Sequence, residues 1–236
     1  MGELVTGMLR GIAVAVALSL WAVGVQGQRT HVLVVSGISG EPRFAEQWDA
    51  WARGLVVGLE GAGVGSGDIV RLAERAGAGV AGRSTKDEIG AQIMRIAGSA
   101  DASDQVLVVF FGHGAGSTAG VRLNLPGPDL TARELAVMLQ AFPTQRVVVV
   151  NTASASGGFL EPLAGEDRVI VTATRSESQN NETIFGEHFS AALAGDGADT
   201  DKDGRVSLLE AFTYARLEVE RAYSSTNRMR VRAMGA

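Results

Sequence analysis

The chain contains no cysteine. That excludes a thiol nucleophile, a zinc–thiolate site, an iron–sulfur cluster and disulfide support. Positive charge is also in short supply: 21 Lys and Arg stand against 26 Asp and Glu, for a net charge of −5. No basic footprint for nucleic acid exists, so no nucleic-acid partner is expected. Only three histidines occur. His31 opens an apolar run and His188 sits in a helical pattern, so both suit structural roles. His113 is then the histidine left for proton transfer.

Long apolar runs are few, and one of them lies at the N-terminus. Gly11 to Val25 is uncharged and mostly apolar, follows Arg10, and leads into Val25-Gln26-Gly27, which resembles a small-residue cleavage site. Residues 1–27 therefore read as a signal peptide, too short for a comfortable membrane span. The rest is expected to be exported, secreted or periplasmic, with no stable membrane span after cleavage. An uncleaved anchor is the alternative.

What is present suits one domain: 236 residues with 46% hydrophobic content. His31 to Ser36, Val106 to Phe111, Arg146 to Val150 and Arg168 to Thr172 are continuous apolar runs. Such runs, unlike alternating ones, mark strands buried on both faces, as in a parallel sheet. Helical stripes separate them. Phe44, Trp48, Trp51, Leu55 and Leu59 form one, read as core. Ile89, Ile93 and Ile96 form a second; Leu135, Met138, Leu139 and Phe142 form a third, opened by a Thr131/Glu134 capping box. Residues 28–223 are thus predicted to be α/β, an open, mostly parallel β-sheet with helices on both faces. Residues 224–236 read as a tail or edge strand, from the alternation over Met229 to Arg232.

In such sheets, sites form beyond the carboxyl ends of the strands. Two motifs fall there. Val106 to Gly116 ends in Gly112-His113-Gly114, and Arg146 to Gly158 ends in Thr152-Ala153-Ser154-Ala155-Ser156-Gly157. If their strands are neighbours, His113 and Ser154 leave points about 4.8 Å apart.

This pair of motifs resembles the legumain and caspase group of cysteine peptidases. In that group an apolar strand ends in His-Gly, and a later one ends in Cys with Ser-Gly just after it. The resemblance implies a caspase-like fold and a cleft for a peptide or protein ligand. It puts His113 in the place of the catalytic histidine and Ser154 in that of the cysteine. The backbone N–H groups of Gly114 and Ser154 would line an oxyanion hole. Arg43 falls near a basic residue of the substrate pocket, and Ser178 near another pocket position. Two departures stand out. Ser154 replaces the thiol, and a serine hydroxyl needs a general base, usually oriented by an acid that the sequence does not supply. Thr152 replaces a glutamate that in legumains helps bind asparagine substrates. Three readings follow: a catalytically impaired peptidase homologue, a working peptidase or esterase with Ser154 as nucleophile and His113 as base, or a calcium-dependent interaction domain.

The third reading comes from Asp199 to Glu210, which fits the twelve-residue EF-hand calcium loop. Asp199, Asp201 and Asp203 offer carboxylates at positions one, three and five. Gly204 turns the chain at six, Arg205 offers its carbonyl at seven, Ser207 stands at nine and Glu210 closes at twelve. A lone loop of this kind suits a structural Ca2+ ion. A solvated acidic turn, in which Ser207 and Glu210 cap the next helix, is the alternative.

Overall fold

The computed structural model describes residues 27–117 and 120–234, with side chains described as far as 225. The signal-peptide reading of residues 1–27 lies outside them, Gly27 apart. Among the described residues, no helix is long and apolar enough to cross a membrane.

The chain runs β1 (Thr30–Ser36), α1 (Pro42–Gly61), β2 (Ile69–Ala73), β3 (Gly82–Arg83), α2 (Lys86–Ala97) and β4 (Gln105–Phe111). A small antiparallel sheet follows, β5 (Gly114–Ser117), β6 (Gly120–Leu123) and β7 (Leu130–Thr131). Then come α3 (Ala132–Met138), β8 (Arg146–Asn151), α4 (Leu160–Leu163), β9 (Arg168–Thr172), α5 (Phe185–Ala194) and α6 (Leu208–Met234). The main sheet has the order β3-β2-β1-β4-β8-β9, and every pairing in it is parallel.

Both faces of the sheet are buried, which accounts for the unbroken apolar runs. Leu33, Val108, Phe110 and Val149 join Ile89, Ile93 and Leu135 on the side of α2 and α3. Val34, Val109, Phe111 and Val150 join Trp48, Leu55, Phe189 and Ala215 on the side of α1, α5 and α6. The helix starts follow their caps. The Thr131 hydroxyl accepts from Glu134 N–H at 3.2 Å, and the Glu134 carboxylate accepts from Thr131 N–H at 2.9 Å. Thr85 caps α2 in the same sense, accepting from Glu88 N–H.

One expectation is overturned. Residues 224–234 continue α6 as helix, and no edge strand forms at 229–232. The stretch from Leu208 to Met234 holds neither glycine nor proline, and Arg216–Glu220 and Arg221–Glu218 pair along its surface. Four alternating residues do not outweigh a helix already under way.

Candidate functional site

Adjacency of β4 and β8 brings the two motifs together: Val109 pairs with Val150 and Phe110 with Asn151. His113 and Ser154 therefore leave neighbouring strand ends. Gly114 is where the two turns touch. A Cβ there would stand 2.4 Å from the Ser154 carbonyl oxygen and 2.9 Å from that of Arg122, so only glycine fits.

The hydroxyl of Ser154 both donates and accepts. Its Oγ accepts from Gly114 N–H at 3.0 Å and donates to the Gly114 carbonyl at 3.0 Å. Ser154 is 3% exposed. Among the described residues, no hydrogen bond joins Ser154 to the His113 ring.

Buried hydrogen bonds fix the turn that carries Ser154. Thr152 is buried, and its hydroxyl donates to the Phe110 carbonyl at 2.9 Å, so it faces β4 and not a ligand. Ala155 takes a left-handed backbone, φ 55°, and its N–H donates to the Gln179 carbonyl at 2.8 Å. Non-glycine residues hold that conformation only when their surroundings impose it. Ser156 Oγ accepts from the N–H groups of Ala173 and Thr174, each at 3.1 Å. A Cβ on Gly157 would stand 2.3 Å from Ser176 N. The Ser-Gly half of the motif thus locks the turn after β8 to the turn after β9.

Aromatic rings hold His113. Phe44 and Trp48, from α1, meet its ring edge-on at centroid distances of 4.5 and 4.9 Å. These rings belong to the face of the sheet that carries α1, α5 and α6. The sequence marked Phe44 and Trp48 as core. They are core, and they also grip the candidate histidine. Burial pushes the His113 pKa below its usual value, opposed by the charges of Glu182 and Glu41 and helped by Arg43. The lowered pKa favours the neutral ring. Glu41 and Glu182 escaped the sequence reading, because each sits in a loop with no motif around it.

Arg43 lies at this rim but is occupied. It pairs with Glu41 at 2.9 Å and stands 4.0 Å from Glu182, with its guanidinium 4.2 Å above the Phe44 ring. Ser178 is exposed in the loop after β9, and its hydroxyl meets that of Ser176 at 2.9 Å.

The acidic loop lies between α5 and α6, at the far end of α5 from the cleft. Asp199, Asp201 and Asp203 each bring a carboxylate oxygen within 4.8 Å of the others. Asp199 Oδ2 accepts from Gly204 N–H at 3.0 Å, and Gly204 has φ 84°. Asp203 accepts from Arg205 N–H at 2.8 Å. Glu210 folds back to accept from Ser207 N–H at 2.9 Å and from Thr200 N–H at 2.8 Å. The bonds from Ser207, then those from Thr200, hold its pKa down to about 2. Asp199 Oδ1 is buried with no hydrogen-bond partner.

Residues 85–231 match the Peptidase C13 family. No curated protein matches the chain. Among solved structures, a protein from Geobacter sulfurreducens shares 17% identity at a TM-score of 0.39, over 53% of this chain and 50% of that one. The chain thus spans about half the length of that relative. Caspase-1 from Spodoptera frugiperda shares 14% identity at a TM-score of 0.46, over 71% of each chain. The protein drICE shares 14% at 0.45, over 82% of this chain and 84% of its own. The family match covers more than half of the chain, from the start of α2 into α6, and contains His113, Ser154 and the acidic loop; the chain belongs to the peptidase C13 family.

Proposed function

We propose that this is an exported peptidase C13 homologue that holds a peptide segment at its cleft without cleaving it. The Ser154 hydroxyl carries the reading. Attack on a carbonyl requires the hydroxyl proton to pass to a base. Here that proton points at the Gly114 carbonyl, which is no base, and among the described residues no hydrogen bond joins Ser154 to the His113 ring, which packs against Phe44 and Trp48. The Gly114 N–H, which would steady a developing oxyanion, is already donated to Ser154 Oγ. The serine thus fills the hole its own reaction would use. The neutral His113 ring favours a second reading, a serine hydrolase with His113 as base, since only the neutral form accepts a proton.

A fluorophosphonate probe separates the two, applied beside Ser154→Ala, together with a fluorescent peptide library read by polarisation. We expect peptide binding and no labelling. Labelling that vanishes in Ser154→Ala overturns the inactive reading. Absence of any peptide binding removes the cleft from either.

The same proposal includes a structural calcium ion in the loop from Asp199 to Glu210. Asp199, Asp201 and Asp203, the Arg205 carbonyl, Ser207 and Glu210 would hold it. The donor set is all oxygen, as calcium requires, and the orphaned Asp199 Oδ1 fits a missing cation. A bound ion would offset two of the loop's negative charges and tie the end of α5 to the start of α6.

A further inference from the structure

We propose that a cavity at the carboxyl ends of β1 and β2 binds an alkylammonium or guanidinium group. The cavity measures about 240 Å³. Ser39 lines it from the loop after β1, Glu46 and Trp48 from α1, and Glu74 and Arg75 from the loop after β2. Trp48 also grips His113, so cavity and cleft share a wall. The proposal stands whether or not the cleft holds a peptide.

Glu74 is preorganised as an anion. Its Oε2 accepts from the Ser39 hydroxyl at 2.6 Å and from Ser39 N–H at 3.1 Å. Among the described residues, its other oxygen has no protein donor. The Ser39 hydroxyl bond, first among the causes, holds the Glu74 pKa below its usual value. Glu46 has no ion pair among the described residues. A third lining carboxylate, Asp49, is already neutralised by Arg71 at 2.7 Å and by Arg53. Arg75 is the one cation in the lining, and it reaches neither Glu46 nor Glu74 within ion-pair distance. Two carboxylates thus remain in the lining beside the exposed Arg75, with Arg83 acting on Glu74 from outside it.

An organic cation suits this geometry better than a metal. Among the described residues, the only acidic groups converging at coordination distance are Asp199, Asp201 and Asp203. The cavity offers instead one fixed carboxylate, with Ala45, Trp48 and Val80 to cover a methylene stem. A charged hydrogen bond from the ligand to Glu74 would then supply the selectivity.

Ligand-observed NMR titration of the full chain tests this with butylguanidinium, its uncharged isostere butylurea and the anion butanesulfonate. Butylguanidinium should bind saturably and at least tenfold more tightly than butylurea. Glu74→Gln should weaken it tenfold or more, Glu46→Gln about threefold, and Glu161→Gln on α4 not at all. Glu46→Gln keeps the test decisive if Glu74→Gln unfolds. Equal binding of butylurea, preference for butanesulfonate, or unchanged binding in the Glu46 and Glu74 variants overturns the proposal.

Discussion

At the cleft, Ser154 donates to and accepts from the backbone of Gly114. At the acidic loop, Asp199 keeps one oxygen out of water with no partner at all. The two motifs are comparably clear in the sequence, but their polar groups stand in opposite states. A buried hydroxyl that already donates and accepts gains little by turning to a new partner. A buried carboxylate oxygen with no bond carries a desolvation penalty that a cation removes. The cleft serine is thus held by backbone alone, whereas the loop presents an unpartnered carboxylate oxygen.

Glycine substitutions test that difference most strongly. Gly114→Ala drives a Cβ into two backbone carbonyls, neither able to rotate away. We expect a loss of about 3 kcal/mol in denaturant unfolding. Gly197→Ala, beside the loop, meets nothing within 4 Å and has ordinary backbone. It should change stability by less than about 0.5 kcal/mol. Similar losses at the two positions would show that the cleft is no more tightly built than the loop.

Calcium acts on the other side of the comparison. At a concentration about 100-fold above its dissociation constant, it should stabilise the fold by about 2.7 kcal/mol. The melting temperature should rise accordingly, and Asp199→Ala with Glu210→Ala should abolish the rise. A melting curve indifferent to calcium would sink the loop as an ion site.

The two capping boxes give a smaller contrast of the same kind. Glu134 and Glu210 both have pKa values lowered to about 2. For Glu134 the first cause is the hydrogen bond from Lys86, followed by those from Thr131. Its folded pKa lies below the ordinary glutamate value of 4.5, so its contribution is complete above that value and fades as pH falls toward 2. Glu134→Gln should thus cost about 1 kcal/mol near neutral pH and progressively less in acid. Calcium should leave that difference untouched. A Glu134→Gln effect that depends on calcium would mean the two boxes are not independent.

Sequence and structure agree wherever burial sets the pattern. The strands are legible because both faces of the sheet are covered, and α1, α2 and α3 because one stripe of each is. The capping residue Thr131 stands where its spacing puts it. The orientation of Ser154 is not legible. Whether a hydroxyl turns to a ring or to a peptide depends on a displacement far smaller than one residue. Nor does periodicity reveal that Phe44 and Trp48, besides filling the core, close on His113. Glu41 and Glu182 meet that ring from loops far apart in the chain, and no local pattern announces such a meeting. The basic tail misleads for a different reason: too few residues alternate there to distinguish a strand from the end of a long helix.

The smallest effect concerns whether the two regions communicate. His113 owes its lowered pKa first to burial between rings of α1. Phe44→Ala admits water to one side of the imidazole. The pKa should then rise toward 6.5, readable by NMR titration of the ring. Calcium should not move it. The ten residues of α5 separate the cleft from the loop by about 15 Å, at a rise of about 1.5 Å per residue. That exceeds the Debye length of about 8 Å at physiological ionic strength, so the field of the ion alone does not reach the ring. A His113 titration displaced by calcium would require a mechanical route. One candidate is Gly58 of α1, where a Cβ would lie 2.3 Å from the Leu193 carbonyl at the end of α5. The geometry of the cleft would then depend on the loop.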